Sequence, residues 1–313
     1  MTSTPSKEPL TAPAAAAPVP AHATLGDWVR LLRPQQWVKN AFVLAPLLFS
    51  GRLGQEGAEL RAAATFVAFS ALASAVYVFN DAVDRDRDRA HPTKRKRPIA
   101  AGRIAVAAAI PVALALAAGA LLLAFNIGSG VGTLLLGYAG LNLLYTFRLK
   151  QVVILDVFCI AAFFVLRLLA GSSAIGVVPS IWLLLCGGLL ALYLGFAKRR
   201  HELVELGSAS AGHRGVLAEY NPQFLDQMSV VLLAVTLVAY VMYTLSPEKL
   251  VEIGSYRLTY SAVFVLYGVF RYLYLVHRHD KGSPTDALLG DRSLLATVVL
   301  WALYCGWVIY RSA

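Results

Sequence analysis

The sequence predicts an all-α, polytopic membrane protein of about nine transmembrane helices, and three observations predict it. Hydrophobic residues fill 58% of the 313 positions and charged residues only 15%, where a soluble domain carries about 25% charged residues. The apolar excess is gathered into runs of membrane-spanning length rather than spread through amphipathic segments. Loops rich in Lys and Arg alternate with loops nearly free of them.

The first segment, residues 1–24, is rich in Ala and Pro (Pro5, Pro9, Pro13, Pro18, Pro20). It lacks the apolar stretch of a signal peptide and buries too little surface to offset its ordering entropy, so it reads as a disordered cytosolic tail. Residues 25–313 form the membrane domain. Leu25 to Leu32 reads as an amphipathic lead-in lying along the interface. Spans follow near 37–50, 62–79, 104–125, 131–145, 152–171, 181–197, 228–244, 258–276 and 294–310. Cys159, Cys186 and Cys305 sit far apart inside apolar runs and read as small packing residues.

The loop charges orient the chain. The tail and first turn hold Lys7, Arg30, Arg33 and Lys39. The second loop holds Arg85, Arg87, Arg89, Lys94, Arg95, Lys96, Arg97 and Arg103, and the fourth holds Arg148 and Lys150. The sixth has Lys198, Arg199, Arg200 and Arg214, and the eighth has Arg278, Lys281 and Arg292. The intervening loops offer only Arg52, Arg61, Lys249 and Arg257. Positive charge stays inside, which puts the N-terminus in the cytosol of a plasma-membrane protein and the C-terminus outside. A site assembled from the long polar loops then faces the cytosol. The same pattern accounts for the net charge of +10 without a nucleic-acid partner.

One such loop opens Asn80-Asp81-Ala82-Val83-Asp84-Arg85-Asp86-Arg87-Asp88-Arg89. On a continuing helix Asp81, Asp84 and Asp88 share one face, where like charges repel unless a cation lies between them. Mg²⁺ suits such a place, taking one or two carboxylates and completing its shell with substrate phosphates. The ordinary alternative is a solvated charged loop with local Asp–Arg pairs. Next comes His91-Pro92-Thr93-Lys94-Arg95-Lys96-Arg97-Pro98, then Arg103. These cations could meet anionic lipid or divide the oxygens of a phosphorylated ligand, with Lys94, Arg97 and Arg103 the better candidates.

Tyr145-Thr146-Phe147-Arg148-Leu149-Lys150 precedes Asp156, and Arg167 lies about 16 Å further along the same helix face. Ionisable residues in membrane helices rarely face lipid. Asp156 reads as a group at the site mouth, and Arg167 as a structural partner for Asp156 or for a backbone carbonyl on another helix. Lys39, after Trp37, and Lys198-Arg199 at a helix end either supply cations to a phosphate site or simply flank the membrane.

Asn80-Asp81-x-x-Asp84-x-x-x-Asp88, with Lys94 and Arg97-Pro98, resembles the first aspartate-rich motif of the UbiA superfamily of intramembrane prenyltransferases. The resemblance covers nearly the whole chain after the tail. It implies nine helices around a central cavity open to the cytosolic side, with Mg²⁺-diphosphate held by two aspartate motifs. It also implies Asp81, Asp84 and Asp88 as metal ligands, with Asp84 and Asp156 catalytic. Lys39, Asn80, Lys94, Arg97, Arg103, Tyr145, Arg148, Lys150, Lys198 and Arg199 would bind substrate. The second motif departs from the family's Asp-x-x-x-Asp, because Ile160 stands four residues after Asp156.

Arg33-Pro34-Gln35-Gln36-Trp37-Val38-Lys39-Asn40, His91-Pro92-Thr93-Lys94, Leu155-Asp156-Val157 through Phe164-Val165-Leu166-Arg167, and Lys198-Arg199 with Glu202 are similar to a branch of that superfamily. The branch transfers 5-phosphoribose from phosphoribosyl pyrophosphate to a polyprenyl (decaprenyl) phosphate, on the route to cell-wall arabinan. Two other readings stay open: a conventional prenyltransferase with an aromatic or lipid acceptor, and a transporter. Carboxylates clustered at one membrane face rather than the midplane speak against transport. A homo-oligomer is compatible with the sequence, which does not report one.

Overall fold

A computed structural model of the chain describes residues 23–206, 217, 219–279, 288 and 290–312. The expected tail falls almost wholly outside these residues, as do Arg214 and Lys281. Every regular element among the described residues is helical. The α-helices are α1 (Leu25–Leu32), α2 (Ala45–Phe49), α3 (Ala58–Val83), α4 (Arg85–Ala90), α5 (Val106–Ile127), α6 (Ser129–Phe147), α7 (Leu155–Ala174), α8 (Ile181–Leu206), α9 (Pro222–Thr244), α10 (Pro247–Ile253), α11 (Ala262–His279) and α12 (Arg292–Ser312). Short 3₁₀ segments cover Pro34–Val43, Lys94–Lys96, Leu149–Gln151 and Tyr256–Ser261.

Eight helices among the described residues are long and apolar enough to cross a membrane. They correspond to the last eight expected spans, and the protein is an integral membrane protein. The first expected span, 37–50, is not one long helix. Pro34 opens a 3₁₀ segment ending at Val43, and α2 adds only five residues. Fourteen residues of α-helix would reach about 21 Å, short of the ~30 Å hydrocarbon core, so this segment is free to follow its neighbours instead.

Those neighbours hold it closely. The 3₁₀ segment packs on α3 and α7, and a Cβ added at Gly171 of α7 would sit 2.0 Å from the Val43 carbonyl oxygen. Backbone meets backbone there, so glycine is required. Gly171→Ala is expected to destabilise the protein by about 1–3 kcal/mol through overpacking. Denaturation in detergent at the wild-type midpoint would disprove that close approach.

Sequential helices are neighbours: α5 packs on α6, α6 on α7, α7 on α8, α8 on α9 and α11 on α12, while α3 also packs on α5 and α7. Phe69, Leu72, Leu135 and Ala170 are buried at the centre of the first group. Leu114 and Leu122 of α5 and Leu303 of α12 point outward, with more than half of each exposed, as suits faces turned to lipid. The short α1 is closed by a capping box: Thr24 accepts from the Asp27 N–H, and the Asp27 carboxylate accepts from the Thr24 backbone and hydroxyl. Leu31 and Asp27 are buried while Leu25 and Val29 are exposed.

Up-and-down connection brings the C-terminal ends of α3, α6 and α8 and the N-terminal ends of α5, α7 and α9 to one end of the bundle. The candidate residues all lie there.

Candidate active site

The α3 helix ends at Val83 because Asp84 leaves helical geometry (φ −88°, ψ 8°) before α4 begins. Asp88 therefore rides on a separate short helix rather than on a continuation of α3. Each aspartate meets cations. Asp81, almost fully buried, accepts at Oδ1 from Arg33 at 2.5 Å and from Arg97 at 3.0 Å. The same Arg97 donates to Asp88 Oδ2 at 2.7 Å. Asp84, more open, takes Lys150 at 3.3 Å and Arg87 at 3.8 Å. Burial pushes the Asp88 carboxyl up in pKa, Arg97 pulls it back, and nearby Asp81 adds to the rise.

Among the described residues no group of three His, Cys, Asp or Glu side chains is placed to hold a metal ion. The donors nonetheless fit Mg²⁺. Asp81 Oδ2 is buried with no hydrogen-bond partner, a costly state for a carboxylate oxygen unless a cation meets it. Asp84 beside it is accessible. Two carboxylates with substrate oxygens completing the shell is the usual arrangement for Mg²⁺; Asp88 is engaged by Arg97 through Oδ2.

The basic loop is shaped by His91, which is buried and accepts at Nδ1 from the backbone N–H groups of Thr93 and Lys94. This turn exposes Arg95 and Lys96 and leaves Lys94 and Arg97 half-buried, with Lys94 close enough to Asp88 to favour its charge. Arg103 turns elsewhere: it donates to Asp27 at 2.7 Å and to the Lys96 carbonyl at 2.9 Å, fastening α1 to the loop. Hydrogen bonds from Thr24, then Arg103, hold the Asp27 carboxyl below its usual range.

A second cluster lies where α6, α7 and α8 meet. Asp156 and Arg199 are buried and paired at 2.5 Å. Arg199 also donates to Glu202 and, at 2.9 Å, to the Tyr145 hydroxyl. The other Asp156 oxygen accepts from the Tyr220 hydroxyl at 2.8 Å, which in turn accepts from the Ile154 N–H at 2.7 Å. Ile154 holds φ +68°, a rare conformation for a β-branched residue, so this clamp sets a strained start to α7. Asp156 is thus closed in by protein donors rather than open at the site mouth.

The end of α6 joins the two clusters. Tyr145 touches Arg199, Thr146 donates to the Asn80 Oδ1 at 2.8 Å, and Lys150 reaches Asp84. Lys198 stands 4.0 Å from Glu202, and Lys39 is half-buried on the 3₁₀ segment. Arg148 is exposed, and its backbone shapes the turn after α6. Deeper in the bundle Arg167 meets neither Asp156 nor a backbone carbonyl of another helix among the described residues. It donates to Asn40 at 2.7 Å, to the Phe163 carbonyl one turn back and to the Tyr138 hydroxyl, among the rings of Phe69, Tyr138 and Phe164 at 4.9–5.6 Å. These partners differ from those expected of a structural arginine paired with Asp156 or with a backbone carbonyl of another helix.

The chain and its bundle of helices have counterparts among known proteins. The profile of the UbiA prenyltransferase family matches residues 42–298. The chain belongs to that family. It is 30% identical to decaprenyl-phosphate phosphoribosyltransferase of Mycolicibacterium smegmatis over 91% of this chain and 92% of that one. It is 32% identical to decaprenyl-phosphate phosphoribosyltransferase of Corynebacterium glutamicum over 90% of this chain and 86% of that one. A UbiA homologue from Archaeoglobus fulgidus, solved bound to GPP and Mg²⁺, superposes with a TM-score of 0.68 at 21% identity, covering 90% of this chain and 99% of that one. UbiA proteins thus share this bundle.

Three contributors to the site were missed as site residues in the sequence. Arg33 stands in a motif quoted for its resemblance, but nothing there signals a contact with Asp81, 48 positions away. Glu202, one turn after Arg199, carried an i,i+3 signal. Tyr220 carried none, since its two partners lie 64 and 66 positions away.

Proposed function

We propose that this UbiA family protein transfers 5-phosphoribose from phosphoribosyl pyrophosphate to a polyprenyl phosphate such as decaprenyl phosphate, releasing pyrophosphate. The observation that carries this reading is the state of Asp156. Its two oxygens are already engaged by Arg199 and Tyr220, and Ile160 follows where a second carboxylate would stand. One carboxylate centre is left for a metal-bound diphosphate, while further cations surround the second cluster. A small donor charged at both ends suits that layout better than a prenyl diphosphate charged at one. The names of the two phosphoribosyltransferase relatives support the same reading.

In this mechanism the bond from the anomeric carbon to the pyrophosphate oxygen breaks and a bond to an acceptor phosphate oxygen forms. Mg²⁺, when bound, neutralises the departing pyrophosphate. Asp81 and Asp84 would hold it. Lys150 stands beside Asp84 and Arg97 beside Asp81, where they would orient the same oxygens. The acceptor phosphate is already anionic, so no strong base is needed, and the protein contributes position and charge complementarity. The product would be a lipid-linked pentose phosphate for cell-wall arabinan. The acceptor reaches the site laterally from the bilayer, and the site faces the cytosol of the plasma membrane.

With Mg²⁺, the purified protein is expected to release pyrophosphate from phosphoribosyl pyrophosphate only when a polyprenyl phosphate is present. Transfer from a prenyl diphosphate to an aromatic acid, with the sugar donor left intact, would replace this reading by conventional prenyl transfer. For orientation, a cysteine placed at exposed Lys96 should react with an impermeant reagent only in inside-out vesicles. Labelling on intact cells would reverse the topology.

A further inference from the structure

The two carboxylate clusters differ in whether they keep an oxygen for a metal ion. Asp81 Oδ2 is buried without a hydrogen-bond partner, and Asp84 is partly open to solvent. In the second cluster Asp156 has no exposed side-chain surface, and both of its oxygens are engaged. Its Oδ2 accepts from the Arg199 guanidinium at 2.5 Å and its Oδ1 from the Tyr220 hydroxyl at 2.8 Å. Arg199 is equally buried, and each of its three nitrogens has an acceptor of its own: Asp156, Glu202 and the Tyr145 hydroxyl. The other Glu202 oxygen, Oε1, has the Lys198 ammonium 4.0 Å away. One turn along α7 from Asp156, Ile160 packs against the apolar cluster of Ala161, Phe164 and Ala191. It adds no oxygen where a further ligand would be needed.

A guanidinium joined to two carboxylates does there what a divalent cation would do: it cancels their mutual repulsion and satisfies their oxygens away from water. Unlike an ion it is tethered to the chain, and it cannot be deprotonated. To admit a metal, Asp156 would have to give up a fully buried ion pair, which is a costly step. We propose that the chain works with a single divalent cation, held at Asp81 and Asp84, and that Arg199 is a built-in cation that closes the second carboxylate cluster to metal. This rests on the Asp81–Asp84 site of the phosphoribosyl-transfer reading. It departs from the expectation that two aspartate motifs share the metal. Asp156 then serves as the anchor of Arg199 and not as a metal ligand.

Mn²⁺ suits the same oxygen ligands as Mg²⁺ and is visible by electron paramagnetic resonance, so it counts the sites directly. The full-length protein, in nanodiscs of zwitterionic lipid, should bind one Mn²⁺ per chain. Asp84→Asn should weaken that binding by at least about 100-fold, beyond the usual cost of losing an outer-shell partner. Asp156→Asn should leave the affinity within about 2-fold of wild type, well below that same cost. Arg199→Met uncovers both carboxylates and should gain a second, weaker Mn²⁺ ion. If Arg199→Met does not fold, the wild-type count and the Asp156→Asn affinity still decide the matter. Two Mn²⁺ ions on the wild type, one of them lost in Asp156→Asn, would overturn the single-cation inference and leave phosphoribosyl transfer standing. A folded Arg199→Met that gains no ion would overturn the part given to Arg199. Unchanged Mn²⁺ binding in Asp84→Asn would remove the carboxylate centre from the transfer reading, and this inference with it.

Discussion

Asp84→Asn should lower turnover by about 10²–10³-fold, the scale for losing one preorganised electrostatic stabiliser worth ~3–4 kcal/mol, while leaving the fold nearly intact. The structure separates the two effects at this position. Asp84 is the most open of the three aspartates, with 28% of its side chain exposed. Its ion pairs with Lys150 and Arg87, at 3.3 and 3.8 Å, resemble surface pairs worth about 0–1 kcal/mol. Its structural duty is done by its backbone, which donates to the Asn80 carbonyl and accepts from the Asp88 N–H; an asparagine keeps both bonds. Asp81→Asn would be a poorer probe, since that carboxylate neutralises Arg33 and Arg97 together. Turnover near the wild-type rate at saturating Mg²⁺ would reduce the aspartates to a charged loop.

Arg199→Met should destabilise the protein by about 3–5 kcal/mol, the cost of removing one partner from a buried ion pair. Neither side chain of the Arg199–Asp156 pair is exposed, so methionine would leave Asp156 charged, buried and supported only by the Tyr220 hydroxyl. The loss belongs to the stranded charge rather than to the missing contact. Asp156→Asn combined with Arg199→Met should therefore lose less stability than the two single changes added together. Chemical denaturation in detergent measures the cycle. Strict additivity, or an unshifted midpoint for Arg199→Met, would mean that Asp156 is stabilised elsewhere.

The two variants bear on different parts of the site, and the sequence read those parts unequally well. The Asp81–Asp88 segment was legible because four carboxylates within eight residues, next to a dense basic run, form a local pattern. Of the cations preferred as phosphate ligands, Lys94 and Arg97 are half-buried on the turn that His91 shapes. Arg103 was read as a phosphate ligand but reaches Asp27, 76 positions away. Asp156 was read at the site mouth, yet it is enclosed by Arg199 and Tyr220 from other helices. Such long-range partners leave no trace in spacing, because a salt bridge between separate helices depends on how those helices pack.

By itself the sequence determined the all-helical membrane class and the last eight spans, because apolar runs of that length have no other way to satisfy their backbone in lipid. It also determined which loop carries the acidic centre. Only the tertiary structure decided the rest. The expected first span became a 3₁₀ segment laid against Gly171, since its proximity to α7 depends on a glycine more than 120 positions away. Asp81 was given two arginines on one oxygen and none on the other, and Asp156 a buried cation of its own. Hydrophobic length is a property of each segment alone. The partner of a charge is decided only when separate segments meet.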